Sequence, residues 1–113
     1  MTPNRADAWR WLAQRASAAV LAVCVLVHLA TILYATRQGL SSEALRARVH
    51  ASVLWPTFYA VFVVAVAVHA PLGLRVILAE WSRLRGRVLD ALLMLFALAL
   101  LAGGLRAVAV VAA

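Results

Sequence analysis

Two histidines, His28 and His69, lie inside long apolar runs of this sequence. An ionisable side chain in a run that enters a membrane is costly, so each histidine is by default a candidate functional residue. A neutral imidazole is a common axial ligand of haem iron, and two imidazoles from facing helices can fill both axial positions of a haem b. His69 and His28 are therefore the candidate haem ligands of this chain.

Helical periodicity places other polar residues on the faces that carry the histidines. At about 100° per residue, Ser17 and His28 are eleven residues apart and fall within about 20° of one another. Glu80 follows His69 by eleven residues, and Gly73 lies one turn after His69. A glycine at that position leaves room for the edge of a haem.

Distances along the two apolar runs predict a common depth for the histidines. His28 comes about thirteen residues after Arg15, and His69 comes about twelve residues before Trp81. At 1.5 Å per residue, both lie roughly 18–20 Å from the cytoplasmic interface. The layout is typical of an intramembrane redox site with a polar cluster at its boundary, where we expect Ser17, Glu80 and Trp81.

Each of these residues also has a purely structural interpretation. A histidine in a membrane helix can simply hydrogen-bond to a neighbouring helix. Ser17 alone is typical of helix packing or capping, and Glu80 alone could pair with Arg83 one turn later. Cys24 is expected to be a small buried apolar side chain, and His50, at a loop edge, to be solvated. A common site is favoured because these residues share helix faces and predicted depths, and not by any one of them alone.

Three apolar stretches position these side chains, at about residues 16–36, 53–79 and 88–111. Each is long enough to cross the ~30 Å hydrocarbon core of a membrane, which takes about 20 helical residues. Backbone groups in lipid must be hydrogen-bonded internally, so we predict an all-α membrane protein with three transmembrane helices in one domain over residues 1–113. The first run is longer than the apolar part of a signal peptide, so we expect it to be retained.

Composition excludes several classes of protein. Of the 113 residues, 66% are hydrophobic and 13% are charged, and the mean hydropathy is +0.96. A soluble domain this small buries only about 60–70% of its chain surface, so it could not hide so much apolar area from water. A soluble enzyme and a disordered chain are excluded, and the single cysteine excludes an intrachain disulfide scaffold.

The net charge of +7 comes from eleven arginines and no lysine, against four acidic residues. Seven arginines lie before the first predicted helix or around the second loop, and four lie on the other side. The positive-inside rule therefore places the N-terminus in the cytoplasm, and the charge indicates membrane topology rather than nucleic-acid binding. In the first loop, Gly39 suits a helix end, and Ser41 is a candidate N-cap of a short interfacial helix.

Two segments resemble a known family. The run from His69 to Trp81, H-A-P-L-G-L-R-V-I-L-A-E-W, resembles the H-x-x-x-G-x-R/W-x-x-x-x-D-Y segment of the small membrane-anchor subunits of succinate dehydrogenase and fumarate reductase. The run from Arg15 to Ala18, R-A-S-A, resembles the R-x-S/T-G/A start of the first helix in the same anchors. The likeness covers nearly the whole chain, although its specificity lies in about eight positions.

The resemblance implies that His69 ligates haem b between two anchor chains. It also implies a quinone substrate at the cytoplasmic boundary, which receives electrons from an iron–sulfur subunit. The implied partners are flavoprotein and iron–sulfur subunits, the lipid membrane, and a second anchor chain or a second copy that completes the bundle. By position, the quinone-binding roles fall on Arg15, Ser17, Glu80 and Trp81.

This sequence departs from the family pattern at several positions. Glu80 replaces the usual aspartate, and Trp81 replaces tyrosine, so an indole N–H would donate to the quinone carbonyl in place of a phenol. Ala18 stands where many of these anchors have glycine. His28 is not expected in single-haem anchors but resembles the first-helix ligand of two-haem forms, which leaves the number of haems open.

Other classes share some of these features. A cytochrome b anchor of another quinone-linked membrane oxidoreductase would share the histidines without needing the polar boundary cluster. A haemless structural membrane subunit would use the histidines for packing alone. A small multidrug-type transporter usually has four spans and a carboxylate in the first, whereas here the first has none. Arginine without lysine and abundant alanine indicate a GC-rich bacterium, so we expect a multi-pass protein of the bacterial inner membrane.

Overall fold

The computed structural model describes residues 4–112. In these residues four α-helices follow one another: α1 (Arg5–Gln38), α2 (Ser42–Ala51), α3 (Leu54–Trp81) and α4 (Gly86–Ala112). By length and hydropathy, α1, α3 and α4 are each able to cross a membrane. This confirms the predicted all-α fold with three spans, and the molecule is elongated, with extents of 54 × 24 × 22 Å.

The first helix is much longer than its apolar run predicts. α1 has 34 residues, or about 51 Å at 1.5 Å per residue, and begins eleven residues before the predicted start at residue 16. The predicted start is wrong because hydropathy detects only the apolar part of a helix. Asn4 caps the polar part, since its side chain accepts a hydrogen bond from the Asp7 N–H at 2.8 Å. α3 and α4 begin and end within two residues of the predicted bounds.

The short helix expected in the first loop is present as α2. The Ser41 hydroxyl caps it and accepts a hydrogen bond from the Ala44 N–H at 3.1 Å. Before it, Gly39 ends α1 in the left-handed conformation, with φ 63°, and donates its N–H to the last carbonyls of that helix. A glycine adopts this conformation without the steric cost that a Cβ brings.

α3 is the central helix, and α1 and α4 each pack along it in antiparallel orientation. On the α1 side, Ser17 lies beside His69. On the α4 side, Gly104 lies against Val63, and a Cβ built on that glycine would come within 2.5 Å of the valine Cγ1. Small residues at membrane helix interfaces allow this close approach of backbones.

Few side chains are fully buried within the described chain. The buried apolar residues are small or occur singly along a helix, whereas large apolar side chains cover the outside of all three spans. An apolar exterior is expected where lipid or a partner helix surrounds the chain. The buried apolar residues are Cys24, Ala35, Ala65, Ala67, Leu89 and Leu93.

Candidate functional site

The hydroxyl of Ser17 on α1 lies 3.3 Å from Nδ1 of His69 on α3. Ser17 is 7% exposed, and His69 is half-buried. The same hydroxyl donates a hydrogen bond to the backbone carbonyl of Gln14, one turn earlier in α1, at 3.1 Å. Two of the residues singled out in the sequence are therefore brought together, at the interface between the two helices.

Gln14 belongs to the same cluster, although sequence reasoning did not single it out. A Cβ built on Gly73 would lie 3.4 Å from the Gln14 side-chain nitrogen, so the glutamine amide occupies the space beside that glycine. The Gln14 side-chain oxygen is buried and has no hydrogen-bond partner within the described residues. Its position three residues before Ser17, on the same helix face, was the signal that could have identified it.

An open groove adjoins the Ser17–His69 pair between α1 and α3, and we call it the proximal groove. Its volume is about 510 Å³, and Ser17 forms part of its wall. The other lining residues are aliphatic apart from one threonine, and four of them are alanines, which keep the groove open. They are Ala13, Ala16 and Val20 of α1, and Thr57, Ala60, Val61, Val64, Ala65 and Val68 of α3.

His28 lies at a different level of the bundle. Its ring makes edge-on contacts with Tyr59 and Phe62, at centroid distances of 6.0 and 5.8 Å. Eleven residues of α1 separate His28 from Ser17, which is about 16 Å along the helix axis. The prediction that the two histidines share one depth is therefore wrong, because α1 and α3 pack with Ser17, not His28, beside His69.

His28 lines a second cavity, of about 780 Å³, between the spans and α2. We call this the distal cavity. Aromatic and aliphatic side chains form most of its wall, the Gly103–Gly104 pair of α4 forms another part, and Arg46 and Arg48 of α2 line it as well. Nδ1 of His28 is buried without a hydrogen-bond partner in residues 4–112.

The four residues expected at the quinone boundary do not gather within the chain. Glu80 and Trp81 follow the Ser17–His69 pair by eleven and twelve residues of α3, or about 16–18 Å, and both are exposed. Arg15 is also exposed, and its guanidinium lies over the Trp11 ring, 5.3 Å from the centroid. This contact directs Arg15 toward the end of α1 that is level with Trp81.

Sequence reasoning also missed an ion pair between α3 and α4. Arg75 donates a hydrogen bond to a carboxylate oxygen of Asp90. Arg75 lies in the run that carries the family resemblance, but nothing in the spacing of the two residues identifies Asp90 as its partner. The pair lies between the level of His69 and that of Glu80, so it separates the histidine from the end of α3.

Within residues 4–112, no group of three His, Cys, Asp or Glu side chains is placed to hold a metal ion. What the described residues show here is a hydrogen-bonded pair of Ser17 and His69 next to an apolar groove.

Comparison with known proteins identifies one family. A family model described as the succinate dehydrogenase/fumarate reductase transmembrane subunit matches residues 2–110, which is nearly the whole chain. No curated protein and no solved structure matches the chain.

Proposed function

This chain belongs to the family of succinate dehydrogenase/fumarate reductase transmembrane subunits, and from that premise we propose that it binds haem b through His69 and helps to form a quinone site. Its three candidate spans agree with a multi-pass membrane subunit. The observation that carries the haem proposal is the Ser17–His69 hydrogen bond beside the proximal groove.

An apolar groove lies next to Ser17, the hydrogen-bond partner of His69, although His69 itself does not line it. The Nε2 of His69 makes no hydrogen bond within residues 4–112, so that nitrogen is available as a ligand once Nδ1 is held by Ser17. The alanines of the proximal groove leave open space beside the pair. When bound, haem b supplies a one-electron carrier at this depth. The half-exposed position of His69 supports binding at the interface with a second anchor chain or a second copy.

His28 needs a separate proposal. Within one chain, the levels of His69 and His28 differ by a helix rise of about 16 Å, so these two residues would not hold the same haem together. If His28 ligates haem, it ligates a second one, and the distal cavity beside it is the space that such a group would occupy.

The quinone proposal rests on residues at the end of α3 and on Arg15. Because Ser17 already bonds to Gln14 and His69, direct hydrogen bonds to a quinone carbonyl fall to Arg15 and Trp81. Glu80 is exposed and water-accessible, and is suited to relay protons. We propose that an iron–sulfur subunit docks at this end, with a flavoprotein subunit beyond it, in the inner membrane of a bacterium.

The test is a dithionite-reduced minus oxidised visible spectrum of the detergent-purified native complex, with pyridine haemochrome quantitation. We expect a b-type spectrum that His69→Ala abolishes and His50→Ala retains, since His50 is an exposed residue of α2. The haem-to-chain ratio, with and without His28→Ala, tests the second haem. A haem spectrum that survives His69→Ala would contradict the assignment.

Copurified partners distinguish the remaining alternatives. Flavoprotein and iron–sulfur subunits that copurify without any haem would indicate a haemless structural anchor, in which the Ser17–His69 bond serves packing alone. A haem-containing complex with other partners would indicate a cytochrome b anchor of a different quinone-linked oxidoreductase.

A further inference from the structure

We propose that Ser17 is a positioning residue for His69. Its hydroxyl accepts a hydrogen bond from Nδ1–H and so leaves the Nε2 lone pair free to bind haem iron. This inference rests on the proposed ligation of haem by His69, but it assigns to Ser17 a role different from the quinone contact that the family resemblance implies.

The direction of the hydrogen bond follows from counting protons. The Ser17 hydroxyl has one proton and makes two contacts, to the Gln14 carbonyl at 3.1 Å and to Nδ1 of His69 at 3.3 Å. A carbonyl oxygen can only accept, so the hydroxyl proton goes to Gln14. We infer that the proton between Ser17 and His69 comes from the imidazole, because the Nδ1–H tautomer allows both contacts of the hydroxyl to be hydrogen bonds at once.

Burial of Ser17 protects its hydrogen bond to His69 from competition with water. Ser17 is the buried polar side chain of the described core, at 7% exposure, so water competes little for its hydroxyl. The bond also crosses between helices, and it therefore fixes the plane of the imidazole relative to α1 as well as its tautomer. With both contacts made, the hydroxyl has no proton left to donate to a quinone carbonyl.

A hydrogen-bond acceptor at Nδ1–H makes the imidazole a more basic ligand, and partners of this kind commonly change metal affinity 10–100-fold. A more basic ligand favours ferric over ferrous iron. Removing the hydroxyl is therefore expected to raise the midpoint potential of the haem and to weaken its binding.

The experiment compares Ser17→Ala and Ser17→Thr in the native complex, by redox titration of the b-type absorbance and by electron paramagnetic resonance of the ferric haem. For Ser17→Ala we expect a shift of about tenfold in the ferric-to-ferrous equilibrium, or about +59 mV for one electron. The electron paramagnetic resonance signal of the ferric haem is expected to shift, because the hydrogen bond no longer fixes the plane of the His69 imidazole. Ser17→Thr keeps the hydroxyl, so both the midpoint potential and the paramagnetic resonance signal of the haem are expected to stay unchanged.

Thr36→Val is the matched control. Thr36 donates to the Ile32 carbonyl within α1 at 2.8 Å and is exposed, so this change removes a helix-internal hydroxyl bond without touching His69. The midpoint potential of the haem in the Thr36→Val complex should equal that in the unmodified complex. If Ser17→Ala does not assemble, Ser17→Cys replaces the hydroxyl with a weaker acceptor of similar shape, and the same upward direction is expected.

The outcomes separate this inference from the proposed function. Haem that is retained in His69→Ala overturns both the proposed ligation by His69 and the positioning role of Ser17. Loss of haem in His69→Ala, together with an unchanged potential and ferric signal in Ser17→Ala, overturns the positioning role alone. A higher KM for quinone in Ser17→Ala without any change in potential would return Ser17 to the quinone site.

Discussion

At the scale of single residues, Arg75 and Asp90 form the described ion pair that joins two spans. The Arg75 side chain is 25% exposed and that of Asp90 is 55% exposed, so the guanidinium is the more desolvated partner. A charge left unpaired after partial burial carries a desolvation cost, whereas a mostly exposed carboxylate does not. The pair is therefore expected to stabilise the α3–α4 contact chiefly by neutralising Arg75.

We expect Asp90→Asn to lower the thermal stability of the detergent-solubilised complex, because Arg75 loses its partner while remaining half-buried. The effect should be modest, since Asp90 itself is largely in contact with solvent. Exchanging the two residues, Arg75→Asp with Asp90→Arg, is expected to recover part of the loss. The measurement is the midpoint of thermal unfolding followed by circular dichroism.

Asp7→Asn is the matched control for that prediction. Asp7 pairs with Arg10 one turn away in the polar start of α1, at 3.4 Å, with both side chains about half exposed. Such an exposed ion pair contributes little to stability, so the midpoint of thermal unfolding should not change in Asp7→Asn. Equal destabilisation by Asp7→Asn and Asp90→Asn would show that net charge, rather than the bond to Arg75, sets the effect.

Residue types and helix faces could be read from the sequence, but cross-helix partners could not. The eleven-residue spacing correctly placed Ser17 and His28 on similar faces of α1, yet it carried no information on which of them meets His69. That choice depends on the axial offset between α1 and α3, which is set by packing along their full lengths. The unpartnered oxygen of Gln14 is likewise visible only once both helices are in place.

At the scale of helices, α4 packs closely against Val63 of α3 at Gly104. A Cβ on that residue would lie 2.5 Å from Cγ1 and 2.9 Å from Cγ2 of Val63, which is shorter than any normal contact. The valine is β-branched and cannot easily turn away. The two helices must therefore separate if Gly104 is enlarged.

We expect Gly104→Ala to destabilise the chain by about 1–3 kcal/mol, the usual cost of overpacking a well-packed interface. Gly103→Ala is its neighbour and control, because a Cβ there meets nothing within 4 Å. That variant should be neutral or slightly more stable, since alanine has the higher helix propensity. Unfolding in mixed detergent measures both, and Val63→Ala should restore much of the stability of Gly104→Ala.

The elements themselves were predictable where a local signal marks their ends. Ser41 and Gly39 are short-range signals, and both act in the structure as predicted. Hydropathy does not predict the start of α1, because Arg5, Asp7, Arg10 and Arg15 lower the hydropathy of its first three turns. Asn4 followed by Asp7 is a capping pattern that would have predicted the extension.

At the scale of the whole molecule, α3 is flanked on two sides while the outer surfaces of α1 and α4 are covered by large apolar side chains. His69, on α3, is half-buried and so is partly exposed at the surface of the three-helix arrangement. A second anchor chain or a second copy would cover the proximal groove and complete a bundle.

The orientation of the three spans determines whether the proximal groove or the distal cavity lies nearer the side on which partner subunits dock. The positive-inside rule predicts that the N-terminus and the α3–α4 connection lie in the cytoplasm. In that orientation, the Ser17–His69 pair is nearer the cytoplasmic side than the distal cavity, because α2 lies at the opposite end. A reversed chain would present α2 and the distal cavity to the cytoplasmic side instead.

Labelling of single cysteines decides between these orientations. In a Cys24→Ala background, Ala8→Cys places a thiol on the exposed start of α1, and Ala47→Cys places one on the exposed side of α2. A membrane-impermeant maleimide added to intact cells should label Ala47→Cys alone, and both positions after permeabilisation. Labelling of Ala8→Cys in intact cells would invert the topology, and the proposed quinone site would then have to be sought beside the distal cavity rather than at Glu80 and Trp81.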